Sequence, residues 1–267
     1  MQRVILFTVA LLLPIAAYSQ AGGRQTGEPF ERRQDVFFAD GSLDEYTTTD
    51  WNPSYTHITH QRRYSASGAM LEQVEFSYNE DRGNLQTKLT RDVEERLRNR
   101  IVYQYNNQNR LWRESLVDNR GRVVSTHEFT YDNRGNSISR VIKNRAQEIL
   151  AETVYTWNAQ GRMTASQTRD AGGVLISSTV YSYDGQGNLT RQDVTDGDGN
   201  PTTVVQSTWR DGLEVENVMT SAATRTMQLR IRNEFGQNRE LLTRRIENFQ
   251  GNSTQVIRFE YVFRVRR

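Results

Sequence analysis

Cysteine is absent from this 267-residue chain. That removes disulfide frameworks, thiolate zinc sites, cysteine nucleophiles and a lipidated N-terminal cysteine. Histidine occurs only at His57, His60 and His127, and proline only 4 times. Lysine stands at Lys88 and Lys143 alone among 34 basic residues, so arginine carries the rest. The net charge of +2 is too small for a general nucleic-acid or anionic-membrane binder. The hydrophobic share is 36% and the mean hydropathy is −0.76, which predicts secondary structure with water on at least one face. No Gly-x-Ser-x-Gly, Walker or dinucleotide signature is present, so neither an enzyme nor a cofactor is expected.

The one long apolar run is Ile5 to Ala17, thirteen residues broken by Pro14. It is too short to cross a bilayer core of about 30 Å as a helix. With Arg3 before it and Ala17-Tyr18-Ser19 after it, it reads as a signal peptide over residues 1–19, cleaved before Gln20. Residues 20–29 read as a linker and 30–267 as the folded domain, with no transmembrane helix in the mature chain. Export without disulfides predicts the periplasm or cell surface of a Gram-negative-type bacterium.

The domain repeats itself. Pairs of aromatics one residue apart occur at Phe76/Tyr78, Tyr103/Tyr105, Phe129/Tyr131, Tyr155/Trp157 and Tyr181/Tyr183. The second members, with Trp51 before and Trp209 after, step along the chain by 27, 27, 26, 26, 26 and 26 residues. A turn follows most of them: Asp132-Asn-Arg-Gly135, Asn158-Ala-Gln-Gly161, Asp184-Gly-Gln-Gly187 and, with Asn in the glycine position, Asn106-Asn-Gln-Asn109. A second series lies at 65–68, 118–121, 144–147, 170–173 and 196–199. Asp or Asn at the start accepts a backbone hydrogen bond two residues on, and Gly or Asn at the end takes the left-handed conformation. Each repeat is therefore two strands and two turns.

Strand alternation places Tyr181 and Tyr183 on one face and Val180 and Ser182 on the other. Counting across the turns sets Tyr131 opposite Ser137, Tyr105 opposite Leu111, Trp157 opposite Met163 and Tyr183 opposite Leu189. Aromatic and Leu/Met rows then make one apolar stripe, Trp51, Tyr78, Tyr105, Tyr131, Trp157, Tyr183 and Trp209, which is the candidate binding surface. Core packing is the commoner use of such a ladder. Arg113, Arg191 and Asp193 are expected on the same face, with arginine stacking on the rings. Gln104, Glu128, Thr130 and Thr156 belong to the polar face. Only Asp92 to Arg100 allows a helical turn.

The strings Val180-Tyr-Ser-Tyr-Asp-Gly-Gln-Gly-Asn-Leu189, Phe129-Thr-Tyr-Asp-Asn-Arg-Gly-Asn136 and, more loosely, Phe76-Ser-Tyr-Asn-Glu-Asp-Arg-Gly-Asn-Leu85 resemble the YD (RHS) repeat. The resemblance covers about residues 42–209. It implies an all-β fold in which tandem antiparallel hairpins build an extended, twisted or curled sheet, as in secreted toxins that enclose a payload and in cell-surface adhesion proteins. No core-end motif or toxin domain accompanies it. Beyond Trp209 the rhythm becomes irregular over 210–267: Asp211-Gly212 reads as a two-residue hairpin turn, and Asn233-Glu-Phe-Gly236 and Asn248-Phe-Gln-Gly251 as returning turns.

Three clusters bear on chemistry. His57 and His60 lie three apart, on opposite faces of a strand, and so do not share a metal. Asp196-Gly-Asp-Gly-Asn200 has alternating oxygens but Pro201 follows where a calcium loop needs Gly, which favours a turn. Glu214 and Glu216 share a strand face as an acid/base pair would, and an exposed polar face explains them as well. The sequence thus predicts an exported, non-enzymatic binding or structural module that offers a β surface to an envelope protein or glycan. An outer-membrane β-barrel is the alternative, opposed by charge on both faces. The last strand, Val256 to Val265, is expected to close on residues 36–38 or to offer an edge for self-association.

Overall fold

The computed structural model describes residues 28–264; the expected leader, residues 20–27 of the linker and residues 265–267 lie outside the described residues. Strands follow one another without interruption: β1 (Glu28–Phe38), β2 (Leu43–Trp51), β3 (Ile58–Ser65), β4 (Met70–Tyr78), β5 (Leu85–Arg91), β6 (Leu97–Tyr105), β7 (Leu111–Asp118), β8 (Val123–Tyr131) and β9 (Ser137–Asn144). The second half continues with β10 (Ile149–Trp157), β11 (Met163–Asp170), β12 (Leu175–Tyr183), β13 (Leu189–Asp196), β14 (Pro201–Arg210), β15 (Leu213–Ser221), β16 (Met227–Phe235), β17 (Leu241–Asn248) and β18 (Ser253–Arg264). β1 takes in residues 28 and 29, which composition had assigned to the linker.

The turns form as their chemistry requires. Asp132 donates its N–H to the Asn136 carbonyl at 2.9 Å, and its carboxylate accepts from the Arg134 and Asn136 amides. Gly135, Gly161 and Gly187 have φ of 95°, 73° and 92°, and Asn109 has φ of 62°. The window from Asp92 makes the same turn and no helix: Glu95 occupies the left-handed position at φ 60°, because Asp92 caps the Glu94 and Arg96 amides. The two early steps of 27 arise from turns one residue longer, closed by Asn52 to His57 and by Asn79 to Asn84.

After Trp209 the register persists. Asp211 and Gly212, at φ 53° and 71°, make the short turn, and the longer turn closed by Ser221 and Thr226 restores the length. Phe235 and Tyr261 therefore continue the aromatic spacing of 26. Asn233 lies inside β16, and the turn there starts at Gly236 with Arg239 left-handed at φ 65°. In the next turn Asn252, not Gly251, takes positive φ.

The sheet is not open. Every strand pairs antiparallel with its chain neighbours, and β18 pairs with β1, Val36 opposite Ile257 and Phe38 opposite Gln255. The closing alternative for the last strand is the one adopted, and the expectation of an extended sheet is corrected to a closed barrel of 18 strands. The stagger explains closure. Phe129 pairs with Arg140 and Arg140 with Thr153, so two strands on the path arrives two residues short of Tyr155, the counterpart of Phe129. The same shortfall occurs from Tyr103 through Glu114 to His127, and across the seam from Phe259 through Gln34 to Thr47. Nine hairpins so displaced stagger the barrel by 18 residues, equal to its strand number. That ratio corresponds to a tilt of about 35° and, for a circular section, a backbone diameter of roughly 34 Å.

The direction of the stagger also tells inside from outside. For L-residues in a right-handed barrel, a stagger of this sense turns the face of Phe129, Tyr131 and Tyr155 inward. Exposure follows this division at most positions: Ser77, Gln104, Thr130, Thr156 and Ser182 on the outer face are exposed, whereas Thr49, Thr153, Gln192, Asn217 and Asn233 on the inner face are buried, with Thr126, covered beside the Glu128 cluster, the exception on the outer face. Only Val117 and Val205 among the described apolar residues are fully buried, each 5% exposed. The barrel therefore has no packed core, and its stability rests on the closed ladder of backbone bonds and on what lies along the two walls.

Two outcomes test this. A Cβ at Gly161 would meet nothing nearer than Asn136 Oδ1 at 4.0 Å, so Gly161→Ala carries backbone strain alone. It should lower unfolding stability by about 1 kcal/mol in a urea titration. Removing Ser253–Arg264 uncovers both β1 and β17, and should lower the melting temperature and raise light scattering as free edges pair between molecules; an unchanged melting temperature would speak against closure.

Candidate functional site

One feature recurs round one mouth of the barrel. The hydrogen-bonded ladder between hairpins stops short at the aromatic end; β7 and β8, for instance, pair only from Arg113 and Glu128 onward. The carbonyl of Leu111, beyond that point, accepts instead from the Tyr131 hydroxyl at 2.6 Å. The same bond to the residue 20 positions earlier is made by Trp51 Nε1 to Glu31 O, Tyr105 to Leu85 O, Trp157 Nε1 to Ser137 O, Tyr183 to Met163 O, Trp209 Nε1 to Leu189 O and Tyr261 to Leu241 O, all at 2.8–2.9 Å. Tyr78 bonds to the Ile58 backbone. Phe235 has no polar tip, and there Asn233 Nδ2 supplies the bond, to Glu214 O at 2.9 Å.

All seven residues of the predicted stripe therefore share the inner face in one row, and Phe235 and Tyr261 complete it. The pairings Tyr105 with Leu111, Tyr131 with Ser137, Trp157 with Met163 and Tyr183 with Leu189 are as counted. Sequence reading stopped at Trp209 because the turn lengths change there; the 26-residue spacing was the signal that reached further.

A second inner row lies one step deeper. On the even strands β4 to β12 it is aromatic, Phe76, Tyr103, Phe129, Tyr155 and Tyr181, and it then turns polar at Ser207 and Asn233. On the odd strands the same level carries Lys88, Glu114, Arg140, Ser166, Gln192, Asn217 and Arg244. Burial pushes the Tyr103 phenol up to about 12, helped by Glu114, and that of Tyr261 also to about 12. His127 is held below its ordinary value by burial, against the pull of Glu114, whose Oε1 is 3.8 Å from Nδ1.

Several expected neighbours of the stripe are elsewhere. Arg113 pairs with Gln104, and Arg191 with Ser182, on the outer wall, together with Asp193. The cause is a bulge at the start of each odd strand, where two residues face one aromatic and the alternation inverts. The arginines that do reach the rings flank the turns: Arg110 over Tyr131 at 5.7 Å and Arg162 over Tyr183 at 5.8 Å. The same kind of bulge puts Glu214 opposite Trp209 but Glu216 opposite Thr208, so the two carboxylates occupy opposite faces and form no acid/base pair.

His57 packs against Tyr78 with the rings tilted and its Nε2 lies 3.1 Å from Gly83 O, while His60 stands opposite Asp50 and Glu75 on the outer wall. Asp196 spends its carboxylate on the amides of Asp198 and Asn200 within its own turn. No group of three or more His, Asp or Glu among the described residues is placed to hold a metal ion.

The outer wall carries clustered ion pairs. Glu128 binds Arg113 and Lys143 at 2.6 Å each, Arg191 pairs with Asp193, Arg62 with Asp50, and Arg230, Arg232 and Arg245 surround Glu247. Led by the Arg230 hydrogen bond, these guanidiniums hold the Glu247 carboxyl at about 2.

No family model matches the chain, and no curated protein matches it. Among solved structures it is similar to a porin-like protein from Bacteroides uniformis, at 10% identity over 87% of this chain and 98% of that one, with a TM-score of 0.45. A porin-like protein from Bacteroides vulgatus is 10% identical over 88% of this chain and 99% of that one, with a TM-score of 0.37. TcdB2-TccC3 is 12% identical over 83% of this chain and only 16% of that one, with a TM-score of 0.34. Likeness at this level says nothing of activity.

The aromatic bonds can be tested singly. Tyr183→Phe leaves the Met163 carbonyl without its donor and should cost about 1–2 kcal/mol in urea unfolding. Phe235→Tyr should change stability by less than about 0.5 kcal/mol, because Asn233 already serves that carbonyl. Raised phenol values mean that the folded state holds those protons more tightly than the unfolded one. The contribution of Tyr103 and Tyr261 is therefore complete below pH 10 and is lost as pH rises through about 12, which thermal melts and tyrosinate absorbance across that range should register together.

Proposed function

We propose that this protein is an exported, non-enzymatic binding module: a hollow, water-borne barrel that receives its partner on the aromatic inner wall. The observation that carries the reading is the distribution of charge. Ion pairs at Glu128 and Asp193 stand at mid-strand on the outer wall, where a lipid-facing band would have to be apolar, and the rings face the lumen. Aromatics at the inner mouth repeat every two strands, about 10 Å, and so offer stacking platforms to a chain slim enough to enter, an extended glycan or peptide of the envelope. The YD-like strings and the N-terminal apolar run of the sequence support export and a place in the periplasm or on the surface.

The second reading is an outer-membrane barrel. Closure with an even number of strands favours it, and so does one sector of the outer wall, where Val154 and Val180 are exposed and charge is sparse. No helix among the described residues is long and apolar enough to cross a membrane, which says nothing of strands. Cell fractionation separates the readings. Release of the chain by osmotic shock, without detergent, is the expected result; retention in the outer-membrane fraction until detergent is added would overturn the first reading in favour of the second.

A further inference from the structure

Arg140 is set apart from the other cations of the inner wall. Arg63 is paired with Glu45 at 2.8 Å, Arg244 donates to Asn233 Oδ1 at 2.9 Å, and Lys88 lies over the Phe76 ring at 5.7 Å. Arg140 has no hydrogen bond or ion pair among the described residues, and its Nε is buried without a partner. Thr153, opposite Arg140 across the ladder, has its hydroxyl in a bond with Thr168 at 3.0 Å. The other buried side-chain polar atom without a partner is Ser137 Oγ. Both belong to the inner face of one strand, β9, where they pair with Phe129 and Tyr131 of β8. On the far side of β9 stand Tyr155 and Trp157, and His127 lies diagonally across from Arg140, close enough to feel its charge.

A half-covered guanidinium with an unused donor is costly when alone and is matched in shape and charge by an oxyanion that accepts two parallel N–H bonds. The flanking rings supply an apolar bed for whatever carries that anion. We infer that β9 holds a subsite for a carboxylate or phosphate borne on a ring-shaped or apolar body, with the terminal nitrogens of Arg140 gripping the oxyanion and Phe129 and Tyr155 packing against the body. Glu114 is turned to His127 and leaves the Arg140 charge uncompensated. The inference rests on the reading of the inner wall as the binding surface and assigns the chemistry of one position on it.

The test uses the full chain, calorimetric titration and four probes: benzoate, phenyl phosphate, inorganic phosphate and neutral benzyl alcohol. Benzoate and phenyl phosphate should bind about tenfold more tightly than benzyl alcohol, and Arg140→Gln should bring them down to its level. Arg140→Lys, which keeps the charge and loses the fork, should fall between. The melting temperature should not fall in either variant, because Arg140 has no partner to lose, and Arg134→Gln at the rim should bind as the parent does. Inorganic phosphate binding as tightly as phenyl phosphate would remove the ring bed from the proposal. Equal affinity of benzoate for the parent and for Arg140→Gln, or no saturable anion binding, would overturn it. Saturable benzyl alcohol binding in that last case leaves the aromatic wall as a binding surface and rejects the anion site alone.

Discussion

The hydrogen bond from each aromatic tip to a carbonyl 20 residues earlier is the contact on which the rest of the barrel depends. Bulges at the start of the odd strands accompany an early end to the ladder between hairpins, which leaves one carbonyl per hairpin short of a donor. Water could reach that carbonyl, but a side chain that reaches it ties two hairpins together at the mouth where backbone pairing has run out. Tyr and Trp suit the task because each carries a donor at the end of a rigid apolar plate. The site where Phe replaces them shows that the bond and the plate are separable: Phe235 keeps the ring and Asn233 makes the bond.

Much of this was legible in the chain. The spacing of the aromatics predicted the hairpins, the Asp/Asn-x-x-Gly strings predicted the turns, and Asn106–Asn109 was recognisable as the same turn without glycine. The bulges were not legible. A bulge at an odd-strand start leaves no residue signature in Leu111-Trp112 or Leu189-Thr190, yet it inverts every later side chain of the strand, which is why Arg113, Arg191 and the pair Glu214/Glu216 were assigned to the wrong faces. Closure was not legible for a related reason: it is a sum over nine small staggers, each invisible in a single repeat.

Closure also separates two chemistries that an open sheet would leave equally wet. Outside, the arginines work in partly exposed clusters with carboxylates, pairs that contribute modestly to stability. Inside, the same residue type behaves differently. Burial lowers the Arg244 affinity for its proton and leaves Arg140 without an acceptor. The preference for arginine over lysine thus has a different basis on each wall: carboxylate clamping outside, and a flat, weakly hydrated cation among rings inside.

Because each strand pair meets the next through the same stagger and, at all but the Phe235 position, through the same aromatic bond, the junctions repeat round the ring. The two-residue offset is a property of the unit, and the total grows in step with the number of units, so the ratio that sets the tilt is the same for any count. Gaining or losing one repeat by duplication or deletion in the gene would widen or narrow the bore by two strands and leave each surviving junction unchanged. The width of the opening is therefore an inheritable dimension that can vary without redesign of a single contact.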